Sequence, residues 1–173
     1  MKLLSPIAIG SMTVKNRMVM SPMTTNYGHD DQTVSDRLIA FLEARAKGGV
    51  GLITVEVCTV DVKQKYQPQS LTLGADEFIA GHSKLTDALH AHGVKVQPQI
   101  THPGPESLIS LYHGEQSVGP SVCLGASHSF PSRPLAVEEL DGIVEMYAEA
   151  GRRAREAGYD GIELHAAHGY MLL

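Results

Sequence analysis

Two imidazoles and a phenol stand within six residues in the run Glu163-Leu164-His165-Ala166-Ala167-His168-Gly169-Tyr170. A neutral imidazole can donate to a carbonyl oxygen and stabilise charge that develops there. A phenol stays protonated at neutral pH and can deliver a proton. Catalytic use of His165, His168 and Tyr170 would therefore be electrophilic and acidic. Two other readings stay open. With Glu163 as a third ligand, His165 and His168 could hold a metal, as in a metal-dependent barrel hydrolase. The same side chains could also simply pack beneath a loop.

Two further segments carry candidate chemistry. In Ser21-Pro22-Met23-Thr24 the proline fixes its own φ and biases Ser21 toward an extended shape. The amides that follow project rigidly, and a planar heteroaromatic ligand could lie against them with the Thr24 hydroxyl at its edge. An ordinary turn at a strand end is the alternative. In Val94–Ile100, alternation places Lys95, Gln97 and Gln99 on one face and Val94, Val96, Pro98 and Ile100 on the other. The apolar set should meet helices, so Gln99 should point into a barrel mouth. Its primary amide, donor and acceptor together, suits the imide edge of a pyrimidine ring. Pro98, which has no N–H for a ladder, favours instead an edge strand with Gln99 in solvent.

Alternating elements must position these groups. Arg17–Met20, Gly51–Val57, Val94–Ile100 and Gly161–His165 read as strands. Helices are expected between them: Ser35–Lys47, capped by Thr33 or Ser35; a second through Phe78, His82, Leu85, Leu89 and His92; and Val137–Ala157, burying Leu140, Ile143, Val144, Tyr147 and Ala154. His82, His90 and His92 read as packing or surface residues of the second helix. Ile7–Ile9 and Met12–Val14, joined by Gly10-Ser11, form a hairpin able to plug a barrel floor.

The order β-α-β-α-β-α-β implies a parallel sheet with helical crossovers. The long segments 21–34, 58–75 and 101–136 all follow strands, which marks the carboxyl ends as the functional face. Four βα units against the eight of a closed barrel predict the N-terminal half of a TIM (β/α)8 barrel over 1–173.

Composition narrows the classes. The 173 residues are 43% hydrophobic and 19% charged with a net charge of −5, and Lys and Arg are scattered. Neither a nucleic-acid nor a membrane surface is implied. Cys58 and Cys123 stand far apart without a CxxC pair, so no disulfide framework or iron–sulfur site is expected. No signal-peptide core or membrane-length apolar run is present, and the expected compartment is the reducing cytoplasm.

Six segments together resemble the old yellow enzyme family of NADH:flavin oxidoreductases, nearest its 2,4-dienoyl-CoA reductase and bacterial ene-reductase branch. They are Pro6–Gly10, Val14–Thr24, Gly49–Ile53, Gln99-Ile100-Thr101-His102-Pro103-Gly104, Gly119-Pro120-Ser121 and Ala157–Tyr170, in family order across the chain. The resemblance implies a TIM barrel carrying FMN at its mouth, with NADH or NADPH as reductant. It implies that Ser21, Pro22, Met23 and Thr24 line the flavin edge, that Val57 touches the ring through its backbone, and that Gln99 bonds the pyrimidine. His165 and His168 match the pair that holds a substrate's electron-withdrawing oxygen, and Tyr170 the proton donor. The implied substrate is an unsaturated carbonyl or enoyl compound.

Two departures stand out. Pro105-Glu106 follow His102-Pro103-Gly104 where the family usually has Arg or Lys, and Pro98 interrupts a central strand. The family's strand-five arginine, its FMN phosphate site and any iron–sulfur cysteines fall outside 1–173. These residues alone are expected to bind FMN weakly. A noncatalytic half-barrel, assembling with itself or a complementary chain, is the alternative from another class.

Overall fold

The computed structural model describes residues 2–125 and 130–173, and the few residues 126–129 of the long 101–136 segment lie outside it. Strands β1 (Ile7–Ile9) and β2 (Met12–Val14) form the expected hairpin. Then follow β3 (Val19–Met20), α1 (Asp36–Lys47), β4 (Leu52–Thr59), β5 (Leu71–Thr72), α2 (Ile79–His90), β6 (Lys95–Thr101), α3 (Ile109–His113), β7 (Val118–Gly119), β8 (Arg133–Pro134), α4 (Leu140–Glu156) and β9 (Glu163–Leu164).

The main sheet runs β3-β4-β6-β9 with every pair parallel, and β5 adds beside the far end of β4. Helices α1, α2 and α4 make the crossovers, the arrangement that parallel pairing requires. Helix α1 shows why the chain folds here. The Ser35 hydroxyl accepts from Leu38 N at 3.0 Å, Asp36 opens the first turn, and Arg45 and Lys47 close the last. Cap and charges both complement the helix dipole, and Ser35 is the residue that caps.

Leu38 and Leu42 of α1 and Leu85 and Leu89 of α2 bury their side chains against Ile53 and Val55 of β4 and Val96 and Ile100 of β6. The other face of the sheet is polar. Registers pair Thr54 with Gln97 and Val57 with Gln99 there, and Gln97 Nε2 donates to Thr54 Oγ1 at 3.1 Å. The alternation through Val94–Ile100 is as expected, with Gln99 on the inner face.

Pro98 does not mark an edge: β6 lies between β4 and β9, and Pro98 is buried opposite Val55. The register shifts between Val55 and Val57, leaving Glu56 as an extra residue in β4 beside the proline. A bulge of this kind is how a sheet interior absorbs a residue without an N–H. The Glu56 carbonyl takes a weak hydrogen bond from the Cys58 thiol at 3.4 Å.

At the amino ends of the strands, Lys15 Nζ donates to His92 O at 2.7 Å and Asn16 Nδ2 to Gly49 O at 2.8 Å. A Cβ on Gly51 would lie 2.6 Å from Asn16 Oδ1, so the hairpin closes tightly over the start of β4. Several boundaries differ from expectation, among them β9, which pairs over Glu163–Leu164 within the expected Gly161–His165. Strand β3 pairs over two residues because Asn16 Oδ1 accepts from Met18 N and turns the chain there. Strand β4 runs on to Thr59. Helix α4 starts at Leu140 after a 3-10 turn at Val137–Glu139, and it leaves Leu140 and Val144 exposed, not buried. Its packed face is the small pair Ala150 and Ala154, which lets α4 approach the sheet closely; among the described residues no helix covers its other side. No helix among the described residues is long and apolar enough to cross a membrane.

Candidate functional site

The segment after β3 lies open at the carboxyl end of the sheet, with Ser21, Met23 and Thr24 exposed and Pro22 half-buried. Its anchor is the next residue. Thr25 N donates to Glu56 Oε2 at 2.8 Å, and the Thr25 hydroxyl donates to the same oxygen. Thr24 Oγ1 meets the Tyr66 hydroxyl at 2.7 Å. Tyr66 comes from the loop between β4 and β5 and is almost fully buried.

From Tyr66 the contacts continue across the mouth. The Tyr66 and Tyr170 rings meet edge to face at 6.2 Å between centroids. Tyr170 meets His165 at 4.6 Å, and His165 meets His168 at 5.1 Å, both edge to face. His165 Nε2 and His168 Nδ1 are 3.3 Å apart. The backbone is unusual just here: His168 holds φ 58° beside Gly169 at 75°. A bulky residue in the left-handed region is strained, and such strain gathers at functional sites. The turn is fastened from below, where Met171 N donates to His102 O at 3.2 Å. Gly104, at φ 61°, makes room, since a Cβ there would sit 2.9 Å from Met171 N.

Inside the sheet, Gln99 Nε2 donates to Glu163 Oε1 at 2.7 Å. Gln97 and Thr54 reach the other oxygen, Glu163 Oε2, at 3.4 and 3.5 Å. The Gln99 carbonyl oxygen has no partner among the described residues. Glu163 therefore orients the glutamine, with its donor end held and its acceptor end free.

Burial sets the protonation states. It raises the Glu56 carboxyl above its ordinary value, against the opposing Thr25 bonds. It raises the Tyr66 and Tyr170 phenols, with the neighbouring Glu56 and Glu106 charges adding in each case. Burial and the nearby His168 lower His165, so this imidazole is neutral at pH 7. Burial also takes His102 down to about 4; its Nδ1 accepts from Gly104 N at 3.0 Å, which fixes the proton on Nε2.

The expected residues thus fall on one face. Thr24, Tyr170, His165 and His168 are joined in a row of contacts that passes through Tyr66, and Gln99 and Val57 pair on the inner face two residues from His165 in register. Among the described residues no three His, Cys, Asp or Glu side chains gather as a metal-binding group. Glu163 is turned to Gln99 while the imidazoles turn to each other, so the metal-hydrolase alternative finds no support. His82 is a packing residue, bonded through Nδ1 to the Tyr159 hydroxyl at 2.7 Å and through Nε2 to Thr72 O at 3.0 Å.

Sequence reasoning missed two residues. Glu56 had a visible signal, a single carboxylate amid the apolar run Leu52–Cys58, because a buried polar group is the informative exception. Tyr66 had only a weak one, an aromatic within the polar stretch Lys63–Gln67.

A family model described as the NADH:flavin oxidoreductase / NADH oxidase family matches residues 2–173. An NADH oxidase of Thermoanaerobacter brockii is 41% identical over 165 residues, covering 95% of this chain and 25% of the relative. An NADPH dehydrogenase of Bacillus subtilis (strain 168) is 36% identical over 172 residues, covering 99% of this chain and 50% of the relative. Among solved structures, the old yellow enzyme homologue from Zymomonas mobilis superimposes with a TM-score of 0.89 at 28% identity, over 98% of this chain and 50% of that one. A 2-naphthoyl-CoA reductase in complex with 2-naphthoyl-CoA gives 0.90 at 28% identity, over 98% and 28%. The chain spans a quarter to a half of the length of these proteins, and its curled parallel sheet is part of the TIM-barrel fold. The chain belongs to the NADH:flavin oxidoreductase / NADH oxidase family, whose cofactor is FMN.

Proposed function

We propose that this chain supplies the flavin-facing and substrate-facing residues of an NAD(P)H-dependent ene-reductase acting on an unsaturated carbonyl or enoyl compound. The observation that carries the reading is the continuous row Thr24–Tyr66–Tyr170–His165–His168 across the mouth, beside an oriented Gln99. The residues fit FMN on structural grounds. Gln99 presents an unpartnered carbonyl oxygen able to accept from an imide N–H. Ser21–Thr24 offers an exposed, proline-stiffened edge, and Val57 lies beside Gln99 on the inner face. When bound, FMN supplies hydride chemistry at the β-carbon of the alkene, with NADH or NADPH as the source of electrons. Relatives named NADH oxidase and NADPH dehydrogenase support both donors.

The protein's own work is orientation and proton delivery. One ring N–H is spent on the His165–His168 contact. One outer nitrogen remains a donor for the substrate's electron-withdrawing oxygen, and opening the pair would free both rings. Tyr170, protonated at neutral pH because burial raises its phenol, delivers the proton to the α-carbon. The enoyl class draws support from the neighbour solved with 2-naphthoyl-CoA. The test is Tyr170→Phe, assayed separately in flavin reduction by NAD(P)H and in alkene reduction. The expected outcome is loss confined to the second half-reaction; equal loss in both removes Tyr170 from the acid role.

A second reading rests on the sheet edges. Strands β3 and β9 each have one neighbour, and Val19 and Leu164 are more than half exposed. A noncatalytic half-barrel could close these edges with a second copy or a complementary chain. Light scattering decides, because a well-behaved monomer removes this reading.

A further inference from the structure

We propose that Glu56 is a positioning residue for the flavin edge, its carboxyl clamping Thr25 so that one side chain fixes both Thr24 and Val57. The inference rests on the flavin reading above and goes beyond it, since the Glu56 carboxyl hydrogen-bonds none of the side chains assigned there to flavin or substrate.

Three independent features single the residue out. The first is its place: Glu56 is the extra residue of the β4 bulge, created where Pro98 interrupts β6. The bulge sets the phase of the strand beyond it and brings Val57 onto the inner face beside Gln99. The second is the economy of its bonds. The carboxyl takes two hydrogen bonds from Thr25, from the backbone N–H and from the hydroxyl, both on Oε2, and the Asn26 backbone N–H adds to its stabilisation. The third is the other oxygen. Oε1 is buried with no hydrogen-bond partner among the described residues, on a side chain only 2% exposed. A half-satisfied carboxyl inside a sheet destabilises the fold, and an apolar side chain would fill this place more cheaply. Such local costs collect at functional sites.

The two residues it reaches are the ones that matter at the mouth. Thr25 follows Thr24 directly, so pinning its N–H holds the Pro22–Thr24 segment against the end of β4. Tyr66 completes the frame, since its hydroxyl holds Thr24 from the opposite side. Without the carboxyl, Thr25 would lose its tie to β4, and the segment would be held by the Tyr66 hydroxyl at Thr24 and by Gln69 N at Asn26 Oδ1.

The experiment compares Glu56→Gln, Glu56→Ala and Thr25→Val in the full-length protein, first without flavin and then with FMN. Glu56→Gln keeps a carbonyl oxygen for Thr25. Hydrogen–deuterium exchange of residues 21–27 without flavin should rise about tenfold in Glu56→Ala, the loss of roughly one buried hydrogen bond, and stay near wild type in Glu56→Gln. FMN should then bind about tenfold more weakly to Glu56→Ala with a shifted absorption band, and Glu56→Gln should restore both. Thr25→Val, which removes the hydroxyl's bonds to Glu56 and to Tyr27 N and leaves β4 untouched, should raise exchange at the Thr25 amide itself by about threefold and keeps the test open if Glu56→Ala fails to fold. Unchanged exchange in Glu56→Ala or Thr25→Val overturns the clamp. Faster exchange with unaltered FMN affinity and spectrum overturns the positioning role, as does a Glu56→Gln protein as impaired as Glu56→Ala. A wild-type protein that protects residues 21–27 yet binds no FMN overturns the flavin reading and the flavin part of this proposal, while the exchange data still decide the clamp.

Discussion

The molecule contains two histidine–tyrosine pairs of opposite character. Behind the sheet, His82 and Tyr159 are buried, and each imidazole nitrogen has a partner: the Tyr159 hydroxyl at 2.7 Å and Thr72 O at 3.0 Å. At the mouth, His165 and Tyr170 touch ring to ring at 4.6 Å. Neither the Tyr170 hydroxyl nor the outer imidazole nitrogens have a hydrogen-bond partner among the described residues. The residue types are the same, and satisfaction separates them. A pair whose hydrogen bonds close on themselves ties elements together, here α2 to β5 and to the turn after α4. A pair left half-open keeps hydrogen-bonding capacity at the mouth, which the proposed function uses.

The largest effect expected from this contrast lies at the open pair. Tyr170→Phe should slow alkene reduction by about 10² to 10⁴, the usual range for a positioned acid, with flavin reduction and thermal midpoint unchanged. The ring contacts to His165 and Tyr66 survive in Phe, and no hydroxyl bond is lost. A midpoint that falls together with the rate would move this tyrosine into the same class as Tyr159.

The second effect belongs to the closed pair and is read against pH. Burial holds His82 at about 4, against 6.5 for an ordinary histidine. The folded state therefore binds fewer protons than the unfolded state between those values, and stability falls as pH drops through that window. The contribution amounts to about 3 kcal/mol by pH 4, and His102, also held at about 4, steepens the slope. Urea midpoints measured from pH 7 to 4 should show the decline, and His82→Phe should flatten it. An unchanged slope in His82→Phe would break the assignment.

Much of this contrast was legible in sequence, and its gaps have local physical causes. Ser35 as a cap and Gln99 on the inner face follow from rules that span a few residues, capping and period-two alternation, so short-range reasoning reached them. The assembly of His165, His168 and Tyr170 at a strand end was likewise visible in six adjacent positions. Glu56 showed as a lone carboxylate in an apolar run, but its place in a bulge did not show, because a bulge is a relation between two strands about forty residues apart, and Pro98 pointed first to an edge. Tyr66 left only a weak signal for a similar reason: its partners, Thr24 and Tyr170, come from the two ends of the sheet. Leu140 and Val144 matched a helical stripe, but periodicity gives a face and does not say which neighbour covers it.

The smallest effect sharpens the comparison most, because it changes one oxygen. Tyr159→Phe removes the hydroxyl that meets His82 Nδ1 and keeps the packed ring, so it should cost about 1 to 2 kcal/mol. That imidazole is fully buried, and the loss includes leaving Nδ1 without a partner. The same substitution at Tyr170 should cost nothing measurable, since its hydroxyl has no hydrogen-bond partner among the described residues. Thermal midpoints of the two variants, measured side by side, should therefore differ in the opposite order to their activities. If Tyr170→Phe proves the more destabilising, its hydroxyl has a structural partner and the distinction between the two pairs collapses.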